Sequence, residues 1–374
     1  MWVRLAAILL LGVLLALPCV AEDSVGLGDM MSEIPHELGG ILPDEFFEGN
    51  TEDAAKGLEK VLDTEYFWGL IKEWVFGSAG EAVPTMLSLL SVLVVSALLS
   101  VFRESLRSEA LSGAVGLASA AAMTVILVRG ATAHIEAVEG FVERLSQLCT
   151  AMLPVMGTVL AMGGSGGAAV ATHGGFIMIL GIVEAVVGEA FGTIAGVSLA
   201  LSAADIFSSK FRLSALARAV RRGFGIFFGA IMSLLGFIVS LKIGIASAAD
   251  SVAMRGAKMF ASNAIPLVGS AIGGTLGTVG AAVSYIKSVS GAVGVVLVLL
   301  LALPSFIGVW VYRCGLVLLS GAAEMLGCDK EKELLSGVAS VYGYMLAVIA
   351  VSAVVFILLL TLFTKSTLAF GGAI

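Results

Sequence analysis

"GAVGVVLVLLLALPSFIGVWVY", residues 291–312, runs for twenty-two positions without a charged side chain. An α-helix needs about twenty apolar residues to cross ~30 Å of hydrocarbon, so this stretch predicts a transmembrane helix. Comparable runs recur at about 83–102, 111–129, 223–247 and 340–363, and a further apolar stretch fills 176–207. None alternates apolar with polar residues as the strands of a membrane barrel would. Composition agrees, because 59% hydrophobic residues and a mean hydropathy of +1.05 leave too little polar surface to cover a soluble globule of 374 residues. The expected fold class is all-α: a polytopic α-helical membrane protein with about six to eight helices over 83–374.

Two segments precede that membrane domain. Met1 to Arg4 is a short basic start, Leu5 to Leu17 an apolar core, and Cys19-Val20-Ala21 a small-residue cleavage site. Residues 1–21 therefore read as a cleavable signal peptide. A lipid anchor at Cys19 is the rival reading and fits less well, because Leu17-Pro18 are not the small residues that such a site prefers. If uncleaved, the segment becomes an anchor, and residue 22 onward is extracytoplasmic in either case. Residues 22–82 hold fifteen of the twenty-eight acidic side chains against Lys56, Lys60 and Lys72. They predict an acidic exported region in which Asn50 or Thr51 caps a helix with apolar positions Leu58, Val61, Leu62, Leu70, Ile71, Trp74 and Val75. Tyr66, Phe67, Trp68, Trp74 and Phe76 suit the headgroup level.

Charge threads the chain through the membrane, because Lys and Arg in short loops mark the cytoplasmic side. Arg103 and Arg107 end an inward crossing. Lys210, Arg212, Arg218, Arg221 and Arg222, with no acid among them, form the strongest inside signal. Residues 131–150 carry Ile135, Val138, Val142, Leu145 and Leu148 on one face and Glu136, Glu139 and Glu143 on the other, which predicts an amphipathic helix on the outer interface. An odd number of crossings must then separate 150 from 207. Three short ones fit, as does one crossing plus a re-entrant hairpin broken at Gly163-Gly164-Ser165-Gly166-Gly167. The mixed charges Asp329 to Glu333 leave the last orientation weakly marked.

Between 250 and 291 a helical stripe lacks bulk: Ser251, Arg255, Lys258, Ser262, Pro266, Gly269, Gly273, Gly277, Gly280, Ser284, Ser288 and Gly291. One continuous helix over this range is about 60 Å long, twice a bilayer core. Pro266 predicts a break, giving a polar amphipathic helix and then a glycine-striped membrane helix or re-entrant hairpin. Small residues let helices approach closely in lipid. The stripe is a packing seam within one subunit, a seam between subunits, or the lining of a water-filled path. Gly188, Gly192 and Gly196 repeat the spacing.

Lys258, Asn263, Ile265-Pro266, Val268-Gly269, Lys287, Gly291, Pro304 and Tyr312-Arg313 resemble, in order and spacing, the C-terminal half of the stage III sporulation protein AE family. The signal peptide, acidic exported region and multiple spans are similar to that family as well. The resemblance implies a multi-pass subunit, in the mother-cell membrane around the forespore, of the secretion-related channel complex that joins the two cells and is needed for late forespore gene expression. It implies as partners the other stage III proteins of the same operon, including a cytosolic ATPase and ring-forming bitopic subunits, and a forespore membrane protein.

The residues themselves give little sign of catalysis. His36, His134 and His173 are far apart, no Walker, nucleophile-elbow or His-Glu-x-x-His pattern occurs, and Cys149, Cys314 and Cys328 lack metal-ligand spacing. Neither a cofactor nor a nucleic-acid partner is expected. Charges in apolar context remain as candidates, because they are costly in hydrocarbon. Glu184 and Glu189 are the intramembrane polar candidates, Glu184 as a structural hydrogen bond or part of a polar pathway; Lys242 snorkels. The competing function is a self-contained secondary transporter, built on broken helices and Glu184.

Overall fold

The computed structural model describes residues 60–365 except 62, 107–108, 208–212 and 265–268. The signal peptide, most of the exported region and Pro266 lie outside the described residues. Within them the chain is helical nearly throughout and has no strand. The order is α1 (Thr64–Leu106), α2 (Glu109–Met162), α3 (Gly166–Glu184), a π-helical stretch (Ala185–Phe191), α4 (Gly192–Phe207), α5 (Leu213–Ala264), α6 (Gly269–Met325) and α7 (Asp329–Lys365). Six rods are long and apolar enough to cross a membrane, with α3, the π stretch and α4 forming one of them.

That third rod bears on the stretch from 150 to 207: it is one rod, long and apolar enough for one crossing. The glycine run does not form a re-entrant hairpin but turns α2 into α3. Gly164 and Gly327, with φ of 75° and 69°, end α2 and α6 in the same way. Each occupies the left-handed conformation that a helix end favours and that glycine adopts without steric cost. The residue after each glycine donates back into the last turn, Ser165 to Leu160 O and Cys328 to Ala323 O, both at 2.9 Å. Three residues then separate the antiparallel neighbours at each turn.

Residues 131–150 differ from expectation. They are not a separate interfacial helix but the middle of α2, and Ile135, Val138, Val142, Leu145 and Leu148 are buried in the core. The amphipathic period is real; its apolar face meets other helices instead of acyl chains. Helix α1 likewise runs unbroken from Thr64 through Pro84 to Leu106.

Helix α7 is the centre of the bundle, packed against α2, α4, α5 and α6. Its most apolar window is 67% buried, whereas that of α5 is 17% buried. Ile226, Phe227, Leu234, Phe237, Leu241 and Ile245 of α5 face outward, as lipid-facing side chains do. The shortest spanning stretch has 35 residues, about 52 Å at 1.5 Å per residue. Even a 40° tilt leaves about 40 Å against a ~30 Å core, so the rods project beyond the hydrocarbon.

Candidate functional site

Five residues in the middle of α7, Ser340-Val341-Tyr342-Gly343-Tyr344, gather the polar contacts of four other elements. Ser340 and Tyr344, one turn apart, share a face, and Tyr342 points to the other side. On the first side, Arg221 Nη2 of α5 donates to Ser340 Oγ at 2.6 Å. The Tyr344 ring packs edge-on to Phe224 of α5 at 5.9 Å and lies 5.4 Å from Phe191 of the π stretch. Arg221 and Tyr344 are both buried.

On the second side, the Tyr342 ring stacks with Tyr312 of α6 at 6.2 Å and lies 5.2 Å from His134 of α2. His134 also packs edge-on to Tyr312 at 4.1 Å. Its Nδ1 stands 2.7 Å from Gly130 O and 3.2 Å from Tyr342 Oη. A carbonyl oxygen only accepts, so the short contact assigns the proton to Nδ1, with Tyr342 Oη beside it as a second acceptor. Tyr312 Oη donates to Glu81 O at 3.1 Å, which ties α1 to the same level. Gly343 makes room for Arg313: a Cβ there would lie 3.3 Å from its Nε. Tyr342→Phe is expected to cost about 1 kcal/mol through the lost His134 contact, measured by thermal unfolding of the full chain in detergent.

A second polar junction joins the lower ends of α1, α2 and α7. Ser96 Oγ and Ser119 Oγ both donate to Glu331 Oε1 at 2.7 Å and lie 3.2 Å from each other. Glu331 is buried although its sequence neighbours are charged. A third lies at the opposite end of the bundle, where Asp250 of α5 accepts from Ala168 N at 2.8 Å. Ser165, in the N-cap position of α3, makes no side-chain cap bond, so Asp250 caps that helix from another element. Asp250→Ala should therefore cost about 1 kcal/mol, the usual worth of an N-cap. Asp250→Asn should keep most of it, as read by the same unfolding measurement.

The residues singled out from sequence fall in different places. Glu184 is exposed and accepts from Ser146 Oγ at 2.5 Å, a bond between α3 and α2. Directly after it the helix widens into the π stretch, past which Glu139 Oε1 lies against Gly192, so a Cβ at Gly192 would collide with it. Gly196 has nothing within 4 Å. The surroundings of Gly188 and the Glu189 side chain lie outside the description. Helix α6 passes through Gly269, Gly273, Gly277 and Gly280 without a break, and the side-chain surroundings of 257–280 are likewise outside it. Farther along the stripe, Ser284 is exposed, Ser288 half-buried and Gly291 buried against Thr364 and Leu360 O. Lys287, between them, is buried with Nζ 5.9 Å from the Phe363 ring centroid.

A family model described as stage III sporulation protein AE matches residues 49–367, which takes in every helix above. The chain belongs to that family. No curated protein and no solved structure matches it. Membership in the stage III sporulation protein AE family implies a role in sporulation. Within this family member, the α7 cluster was not foreseen from sequence: Arg221 reads as one more inside-facing cation, and Tyr342 and Tyr344 are silent in an apolar run. His134 and Tyr342 stand 208 positions apart, and no local pattern links them.

Proposed function

We propose that the chain is a multi-pass subunit, in the mother-cell membrane around the forespore, of the channel complex linking the two cells, and that late forespore gene expression depends on it. The observation that carries this reading is the family match across the whole six-rod body. The partners on this reading are the other stage III proteins of the operon, including the cytosolic ATPase and the ring-forming bitopic subunits, and a forespore membrane protein. The chain has no phosphate-binding loop of its own, so any energy for transfer comes from such an ATPase. The acidic residues that precede α1 then lie between the two membranes.

Complementation tests it. In an endospore former lacking its own family member, this chain should restore heat-resistant spores and a late forespore reporter, and mild-detergent capture should recover the ring and ATPase subunits. Normal membrane insertion with neither restored sporulation nor recovered subunits would overturn the reading. Glu184→Gln separates it from a self-contained transporter. The amide still accepts from Ser146, so sporulation should be unchanged, whereas coupled flux in liposomes that vanished with this change would favour the transporter.

A further inference from the structure

Arg221 is a buried cation that no anion among the described residues balances. Arginine keeps its charge at any physiological pH, and Ser340 takes only one of its terminal nitrogens. Nη1 is buried with no acceptor, and Tyr344 Oη and Ser198 Oγ are buried without partners as well. Ser198 of α4 lies one turn from Ser202, which packs against Gly337 of α7, so α4 brings its hydroxyl to the same face of α7. Among the described residues no carboxylate bonds Arg221. On α7, Glu331 is occupied by Ser96 and Ser119; on α4, Asp205 has a partner of its own. The charged neighbours along α5, Arg218 and Arg222, are exposed and carry the same sign as Arg221. An unbalanced buried charge costs several kcal/mol.

Three features indicate what balances it. A guanidinium fork matches a phosphate with two parallel hydrogen bonds. Arg221 lies in the basic segment that marks the cytoplasmic side, and the inner leaflet there carries anionic lipids. On one flank of α5, Val220 and Phe227 are exposed apolar side chains, as is Val197 of α4 next to Ser198, and acyl chains can lie on them. We propose that Arg221, with the hydroxyls of Tyr344 and Ser198, binds the phosphate of an anionic phospholipid between α4, α5 and α7, its tails running along Val197, Val220 and Phe227. The exposed Arg218 and Arg222 draw the headgroup in.

The test uses the full chain in nanodiscs of phosphatidylcholine alone or mixed with phosphatidylglycerol, and in detergent with or without inorganic phosphate. Phosphatidylglycerol should raise the wild-type Tm by about 5 °C. Arg221→Gln should lose that rise while being at least as stable as wild type in phosphatidylcholine, and Lys242→Gln, at an exposed cation far along α5, should keep it. An equal rise with inorganic phosphate would show that free phosphate fills the same site; a rise with lipid only would identify the headgroup. No wild-type difference between the lipids, or the same rise in Arg221→Gln, overturns the proposal. Should Arg221→Gln not fold, native mass spectrometry decides. Wild type should retain phosphatidylglycerol over phosphatidylcholine and Arg221→Lys, which keeps the charge but not the fork, should retain about threefold less; equal retention would overturn it.

Discussion

Gly294→Leu is expected to lower the stability of the full chain by about 3 kcal/mol, the upper part of the usual range for overpacking. That corresponds to a fall of about 4 °C in Tm. Gly294 sits where α6 passes between α2 and α7. A Cβ there would run into Met152 Cε, with Met152 Sδ at 3.0 Å and Leu360 Cδ1 at 3.2 Å. Val293, Leu297, Met156 and Phe356 are also buried, so the surroundings have little free volume into which they can yield. Alanine should cost much less than leucine, because the Met152 thioether can swing aside. Gly181, with nothing within 4 Å, is the control, and Gly181→Leu should stay within ~0.5 kcal/mol of wild type. Unfolding in detergent followed by intrinsic fluorescence reads all three. Equal losses at Gly294 and Gly181 would mean that α6 does not pack against α2 and α7 as described.

Glu331→Ala should cost about 2–4 kcal/mol, because it removes the charged acceptor that two hydroxyls, one of them buried, share. Glu331→Gln keeps an accepting oxygen at that place and should cost about 1 kcal/mol or less. The three groups form one network, so a double-mutant cycle of Ser96→Ala with Glu331→Ala should be non-additive by more than ~0.5 kcal/mol. Additive losses would dissolve the junction. The nearby ion pair of Lys332 with Glu324, 2.7 Å long but largely exposed, should contribute no more than about 1 kcal/mol. Of the charges near the α6–α7 turn, then, the buried one that bonds serines outweighs the one that pairs with a lysine.

The gross architecture was legible because crossing a bilayer imposes length and apolarity on each helix separately. Those constraints are local, and the runs ending near Arg103, Arg313 and Thr364 announce themselves. The turn at Gly163 to Gly167 was legible too, although its outcome was left open. The number of glycines says that the backbone bends, but only the positive φ at Gly164 alone, followed at once by a long rod, says that it turns once. Residues 131–150 show the limit of periodicity. A moment in the helix is the same whether the apolar face meets lipid or other helices, so an interfacial helix and the middle of α2 look alike. The α7 cluster was hidden for a related reason. Tyrosine in an apolar run carries no local sign of a partner, and Glu331 between lysines reads as one of several offsetting charges. Each becomes polar core only through partners more than 90 positions away: Arg221 for Ser340, His134 for Tyr342, Ser96 and Ser119 for Glu331.

The most direct measurement is the sidedness of two turns. In a chain whose Cys149, Cys314 and Cys328 are replaced by alanine, single cysteines at Gly166 and Leu326, both exposed, are labelled with a membrane-impermeant maleimide in intact growing cells. Three rods lie between these positions, so the two cysteines must face opposite sides of the membrane. The basic segment before α5 predicts Leu326 on the inside. Gly166→Cys should react in intact cells and Leu326→Cys only after permeabilisation. Reaction of both from one side would contradict a body of six crossings, and the reverse pattern would contradict its orientation.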